Sequence, residues 1–231
     1  MTQTATPPKP AQDTRSATRD APSTLGGLVR VMLTRSSPLI LLTVTLAFGA
    51  LRVSLGAWSW VDGAVLLAIA AWWPFKEWLI HTYLLHFKPR KLGRFTIDFA
   101  QARKHRRHHL APWDFADVMI PLHTYAYAVP ILCGIGYLSW GIPAVFTALT
   151  LYPAFGLHYE WCHFMAHSNY VPRSALYKTI WRNHRLHHFK NETQWMGVST
   201  RLGDVVLGTC PDAKAVERSP TCRTLGIAPP A

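Results

Sequence analysis

The chain has 231 residues, of which 49% are hydrophobic, and it carries a formal net charge of +12. That length suits one domain with a substantial core, and the charge favours a negatively charged partner or surface. Long apolar runs argue against a nucleic-acid-binding domain and favour a membrane protein.

The two ends of the chain have the composition of unstructured tails. Residues 1–30 are rich in Thr, Pro, Ala, Ser and Arg, and they lack the apolar run of a signal peptide. The residues after 209 are similar in composition and end in Ala-Pro-Pro-Ala. We therefore predict a disordered N-terminal tail at 1–30, a membrane domain at 31–209 and a C-terminal tail at 210–231.

Four apolar stretches lie between these tails, at residues 37–56, 60–80, 118–140 and 142–162. Each is about 20 residues long, enough for a helix to cross a hydrocarbon core of roughly 30 Å. Arg52 is near the end of the first stretch, where we expect its side chain to extend to the interface. The alternative is a soluble bundle of very apolar helices.

Basic residues predict the orientation of these stretches. Lys and Arg concentrate before the first stretch, between the second and third, and after the fourth, whereas the two short connections on the other side carry almost none. The positive-inside rule then predicts four transmembrane helices with both termini in the cytoplasm. The expected fold class is all-α, with a cytosolic helical cap, because most histidines follow the second and fourth stretches.

Ten of the 12 histidines form four groups with metal-ligand spacing. HxxHH occurs twice and HxxxH once, and these spacings put histidines on one face of a helix. The remaining group is a pair five residues apart, which needs a helix end or local unwinding to converge; the alternative is that its two histidines serve different metals. Because imidazole suits iron, zinc, copper and nickel, two ions with about five histidines each would leave open positions for oxygen or water. The groups are His81 and His86; His105, His108 and His109; His163 and His167; and His184, His187 and His188.

Other polar residues near these groups are candidates for lesser roles. Glu160, and with it Asp114 and Asp117, could orient ligand histidines by accepting their ring N–H; an interfacial ion pair is an equal alternative for Glu160. We expect His123 and His158 to be neutral, hydrogen-bonded side chains rather than ligands. The four cysteines show no regular spacing and are interpreted as free thiols.

The four groups together resemble the fatty acid hydroxylase/sterol desaturase superfamily. HTYLLH is similar to its first histidine box, KHRRHH to its second, YEWCHFMAH to its third and NHRLHHFKNETQWMGVST to its last. The Gly-Thr pair after Asp204 resembles the terminal signature of the superfamily. The resemblance covers about residues 76–208 and is closest to the lipid fatty-acid α-hydroxylases.

The resemblance implies a hydroxylase-like domain at 31–209 with four membrane helices, a cytosolic dimetal cap and all ten grouped histidines as ligands. It implies O2-dependent hydroxylation of a fatty acyl chain taken from the bilayer, with electrons from an external donor of the cytochrome b5 or ferredoxin type. Oxidising an unactivated C–H bond needs a redox metal, so we expect two iron ions. Zinc is an alternative occupant because it binds nitrogen ligands more tightly than Fe²⁺.

Three other functions stay open at this point. A carotenoid or sterol hydroxylase, or a desaturase, would use the same metal site. A non-catalytic metal-binding membrane protein would share the ligands, although transporters usually place theirs at the midplane of the bilayer. A basic scaffold for anionic lipid would explain the charge but not the repeated histidine spacing.

Overall fold

The computed structural model describes residues 21–121 and 141–227, and the regular secondary structure there is helical apart from one short hairpin. Seven positions between the two ranges are also described: Thr124, Pro130, Ile131, Cys133, Gly134, Tyr137 and Leu138. Most of the third predicted span, 118–140, therefore lies outside the described residues, and so does His123.

The elements follow one another closely along the chain. Helices α1 (Leu25–Met32), α2 (Ser36–Leu55) and α3 (Trp60–Leu79) come first, and α3 continues into a π-helical turn at Ile80–Leu85. The antiparallel strands β1 (Arg90–Leu92) and β2 (Phe95–Ile97) follow, with Arg90 opposite Ile97. The remaining elements are α4 (Ala100–Leu110), α5 (Phe115–Val118), α6 (Ile142–Ala166), α7 (Ala175–Phe189), α8 (Leu202–Val206) and a 3-10 turn at Ala213–Ala215.

Two helical segments of the described chain are long and apolar enough to cross a membrane, Ser36–Leu55 and Trp60–Leu85. Both expose large apolar side chains: Leu46 is 63% exposed in the first and Leu67 is 70% exposed in the second. Side chains of this kind are stable against lipid and costly against water. Helix α6 coincides with the fourth predicted span and packs against both segments, although it is not among the helices that meet this criterion.

A buried ion pair joins the three long helices at one end. Arg52 Nη2 of α2 lies 2.7 Å from Asp62 Oδ2 of α3, and Arg52 Nε lies 2.9 Å from Thr147 Oγ1 of α6. Arg52 is only 2% exposed. The guanidinium extends to the end of α2, where it also donates to the carbonyl of Gly56 at 2.6 Å. Its partners on α3 and α6 compensate its charge, as a buried charge requires.

The inner ends of both predicted tails are folded. Thr24 caps α1, and Leu28 is fully buried in a cluster with Phe164 and Met165 of α6. At the other end, Leu225 is 3% exposed. Composition alone does not show this, because each end has only a few apolar residues and their effect depends on the surfaces they meet.

Candidate metal centre

All ten grouped histidines converge beyond the same ends of α3 and α6, and they form two clusters of five. Within each cluster, the candidate ligand atoms lie within 4.8 Å of one another. Nine of the ten side chains are buried, and His86 is half-buried. The first cluster contains His81, His86, His105, His109 and His187, and the second contains His108, His163, His167, His184 and His188.

Each HxxHH motif divides its histidines between the two clusters. In α4 the first and last histidines of the motif belong to the first cluster, and His108 belongs to the second. In α7 the division is reversed, so that only His187 belongs to the first cluster. Residues three and four apart lie on one face of a helix but differ in direction. One motif can therefore serve two neighbouring ions.

The π-helical turn brings His81 and His86 into the same cluster. A π-helix has hydrogen bonds between residues five apart, and the amide of His86 donates to the carbonyl of His81 at 3.1 Å. The two imidazole ring centres are consequently 4.8 Å apart. A regular α-helix would have pointed these side chains in different directions, and the local unwinding expected from the sequence takes this form.

The Nε2 atoms of the first cluster face one another. His105 Nε2 lies 3.0 Å from His81 Nε2 and 3.1 Å from His109 Nε2. A metal–nitrogen distance of about 2.0–2.1 Å leaves neighbouring ligands of one ion roughly 3 Å apart. The separations therefore match those of nitrogen atoms that share an ion.

The protonation of three imidazoles in this cluster follows from their other ring nitrogen. Each Nδ1 donates to a backbone carbonyl, which can only accept, so the proton of the neutral ring is on Nδ1 and the lone pair is on Nε2. Burial lowers the pKa of His109 to about 3 and keeps that ring neutral. The three pairs are His81 with Met196 O at 2.5 Å, His187 with Gln194 O at 2.9 Å and His109 with Cys222 O at 2.9 Å.

Lone pairs that converge at this distance repel one another unless a cation lies between them. His109 Nε2 and His187 Nε2, both without a proton, are 3.3 Å apart. The donor set is made entirely of imidazole nitrogen, which suits first-row transition metals. The residues of the first cluster thus fit a bound metal ion.

The second cluster has the same Nε2 spacing. His108 Nε2 is 3.0 Å from both His163 Nε2 and His167 Nε2, and His167 Nε2 is 2.9 Å from His184 Nε2. Among the described residues, no Nδ1 of this cluster makes a hydrogen bond of good geometry, although the backbone of Val118 lies near the imidazole ring of His163. Both ring nitrogens of His188 lack such a partner. Buried nitrogens of this kind are rare in folded proteins, and a metal ion bound by the cluster would satisfy those that face one another.

Two buried carboxylates hold the loop that supplies two of the carbonyls. Glu77 of α3 accepts hydrogen bonds from the amide of Val198 and from the amide and hydroxyl of Ser199, the last two at 2.7 and 2.6 Å. The side chain is 4% exposed. Nothing in the sequence of α3 shows what this charge meets, because its partners lie more than 120 residues away.

Asp204 of α8 holds the same loop from the other side. It accepts from the amides of Met196 and Gly197 at 2.7 and 2.8 Å, and from the hydroxyl of Thr209 at 2.6 Å. A Cβ at Gly197 would overlap the carbonyl oxygen of Thr200 and approach Asp204 Oδ2 to 2.8 Å. The segment that follows the last histidines is therefore held in the position in which its carbonyls contact His81 and His187 of the first cluster.

The other candidates from the sequence lie away from the imidazoles. Glu160 Oε1 accepts from Ser37 Oγ at 2.5 Å and from the amide of Ile120 at 2.8 Å, so it joins α2 to α6 rather than orienting a histidine. Asp114 caps α5, and Asp117 pairs with Arg107. The exposed His158 belongs to neither cluster and approaches Cys162 Sγ at 3.4 Å.

Comparison with known proteins gives consistent matches. A family model described as fatty acid hydroxylase matches residues 66–209. The dihydroceramide fatty acyl 2-hydroxylase FAH1 of Arabidopsis thaliana is 27% identical over 150 residues, which are 62% of this chain and 59% of that protein. The ceramide very long chain fatty acid hydroxylase SCS7 of Saccharomyces cerevisiae is 30% identical over 155 residues, 61% of this chain and 37% of that protein.

A human relative and a solved structure extend these matches. The fatty acid 2-hydroxylase of Homo sapiens is 26% identical over 59% of this chain and 37% of its own length. The chain thus spans well under two thirds of the length of these relatives. A structure described as full-length Scs7p with only its hydroxylase domain visible has a TM-score of 0.61 at 16% identity, over 79% of this chain and 68% of that one. That likeness concerns the fold.

Proposed function

This chain belongs to the fatty acid hydroxylase family, and we propose that it is a membrane-bound, O2-dependent hydroxylase of lipid fatty acyl chains. The observation that carries the proposal is the pair of adjacent, buried clusters of five histidines each. The names of the relatives point to carbon 2 of the acyl chain as the position oxidised.

Each cluster would hold one metal ion through its Nε2 atoms. Two iron ions would supply the activation of O2 that insertion of oxygen into an unactivated C–H bond requires, whereas zinc, the alternative occupant, has no redox chemistry. The chain itself supplies the neutral imidazoles and the carbonyls that fix three of them. Electrons would come from an external donor of the cytochrome b5 or ferredoxin type.

The proposed orientation is a four-span protein with both termini and the metal centre on the cytoplasmic side. Many basic residues lie at the histidine end, on the segment from β1 to α4 and on α7. At the opposite end, the charge of Arg52 is balanced by Asp62. This asymmetry agrees with the positive-inside rule. The apolar surfaces of α2 and α3 would face lipid, so that an acyl chain enters from the bilayer.

The test combines metal analysis with lipid profiling. The chain is expressed in a host membrane, purified, and analysed for iron and zinc, while host lipids are compared by mass spectrometry. We expect about two metal ions per chain and acyl species heavier by one oxygen atom, with fragmentation placing the hydroxyl at carbon 2. His187→Ala should remove the new species, whereas His158→Ala, outside both clusters, should not.

Other outcomes of the same experiment decide between the rival functions. Acyl species lighter by two hydrogen atoms would indicate desaturation. Oxidised sterols or carotenoids would indicate a different substrate class that is oxidised at the same metal site. Unchanged lipids in a host with a competent electron donor, together with full iron occupancy, would contradict the hydroxylase and favour a metal-binding protein.

A further inference from the structure

The segment 210–227 follows the residues that the family model matches, and it folds back onto the first cluster. We propose that this segment, here called the C-terminal strap, is part of the metal centre and positions His109 through the backbone carbonyl of Cys222. The inference rests on the proposed function in one respect: it takes the first cluster to be a metal site. It assigns a role to residues that composition places in a tail.

The contact with His109 is direct and shielded from water. His109 Nδ1 lies 2.9 Å from the carbonyl oxygen of Cys222, and the two residues are 1% and 3% exposed. Because the carbonyl can only accept, it fixes the proton on Nδ1 and leaves Nε2 free to bind a metal. The backbone makes this contact, so the cysteine thiol has no part in it.

Hydrogen bonds fasten the strap to the end of α7, next to the last histidines. The amide of Ser219 donates to the carbonyl of Lys190 at 2.8 Å. The hydroxyl of Thr221 donates to Glu192 Oε1 at 2.5 Å, and Glu192 is 7% exposed. These contacts place the carbonyl of Cys222 over the cluster instead of leaving it on a mobile end.

The strap also closes on the end of α4. The side chain of Arg223 donates to the carbonyl of Leu110, the residue after His109. Leu225 is buried at 3% exposure even though its φ of 52° is unfavourable for a branched side chain. The strap therefore joins the ends of both helices that carry an HxxHH motif.

The expected effect is confined to one cluster. Among the described residues, no Nδ1 of the second cluster makes a hydrogen bond of good geometry, and the backbone that approaches the His163 ring is that of Val118, which is not in the strap. Loss of a hydrogen-bond partner behind a ligand histidine typically weakens metal binding by about 10–100-fold. Removal of the strap should weaken metal binding at the first cluster by that factor and leave metal binding at the second cluster unchanged.

The experiment titrates metal-free protein in detergent with Co²⁺, followed by visible absorption and metal analysis. The full chain is compared with a chain ending at residue 218, and the matched control ends at residue 227. We expect two ions per chain in the full-length protein and the control. The shorter chain should keep one site of unchanged affinity and bind the other ion about 10–100-fold more weakly.

Point variants test the same idea without removing the segment. Thr221→Val with Leu225→Asp releases the strap and should reproduce the selective loss, whereas Lys214→Ala, an exposed position on the strap, should have no effect. Cys222→Ala keeps the carbonyl and removes the thiol. A weakened site in that variant would overturn the assignment to the carbonyl.

Two results would overturn the strap's role altogether: unchanged affinity for both ions in the shortened chain, or equal weakening of both ions with helicity intact by circular dichroism. If shortening prevents folding, the double point variant decides by the same criteria. A full-length chain that binds fewer than two ions contradicts the proposed function instead. In that case, the role of the strap is tested by asking whether its release weakens binding of the same ion that is lost in His109→Ala.

Discussion

The two histidine clusters share both HxxHH helices, but they are held in different ways. In the first, backbone carbonyls of Gln194, Met196 and Cys222 fix three imidazoles. In the second, the imidazoles lie on α4, α6 and α7 and are packed against one another, with ring centres of His108 and His167 4.4 Å apart. The first cluster therefore depends on loops that follow the helices, and the second depends on helix packing.

The difference indicates that the two sites can be perturbed separately. The loop at 194–200 and the C-terminal strap support only the first cluster through the hydrogen bonds described above. Substitutions in these loops should change one metal site, whereas a loss of helix packing should change both. Variants at the ligands, in the loop and outside both clusters test whether each support acts on one site alone.

The largest effect should come from removing a ligand from each cluster in turn. His187→Ala and His184→Ala are matched, since the two residues lie three apart on α7 and are both fully buried. Each should remove only its own ion and reduce lipid hydroxylation by more than about 100-fold, because direct ligands contribute more than the groups behind them. Metal content and lipid mass spectrometry measure this; a folded variant that loses both ions would show that the clusters are one unit.

A smaller and selective effect is expected from Asp204→Asn. The variant replaces one carboxylate oxygen by an amide group that can donate but not accept well, facing donors of the 196–197 loop. We expect a cost of about 1–3 kcal/mol in unfolding free energy and about 10–100-fold weaker binding at the first cluster. Thermal unfolding and metal titration measure the two quantities. Weaker binding at the second cluster would remove the contrast.

Thr209→Val should act on the same loop more weakly. Its hydroxyl donates to Asp204 Oδ1 at 2.6 Å and accepts from Trp78 Nε1 at 2.8 Å. The variant loses both hydrogen bonds, each worth about 1 kcal/mol, while both amide contacts of Asp204 stay in place. Metal affinity at the first cluster should fall by less than about tenfold. A drop as large as that of Asp204→Asn would show that this hydroxyl, rather than the amide contacts, controls the loop.

The smallest effect should come from Glu160→Gln. Glu160 is as buried as Asp204, but its partners are Ser37 and Ile120 instead of the loop. The glutamine keeps a carbonyl oxygen for these donors, so stability should change by no more than about 1 kcal/mol. Both metal sites should stay intact in the titration. A lost ion would restore Glu160 to the role that the sequence offered for it.

Much of this centre could be predicted because it is local. HxxHH and HxxxH specify helix faces by their period alone, and the structure brings all ten grouped histidines together. That these residues bind metal stays a prediction. The ion pair of Arg52 could not be predicted, because its partners come from two other helices.

The apolar helices α2, α3 and α6 and the grouping of ten histidines could be predicted from the sequence, because hydrophobicity and helical period are local properties. Which histidine joins which cluster, and what holds each ring, depends on contacts between distant parts of the chain. His81 meets a carbonyl 115 residues away, and His109 meets one 113 residues away. Every residue has a backbone carbonyl, so such a contact leaves no trace in residue type, and the role of the strap becomes visible only when the chain is folded.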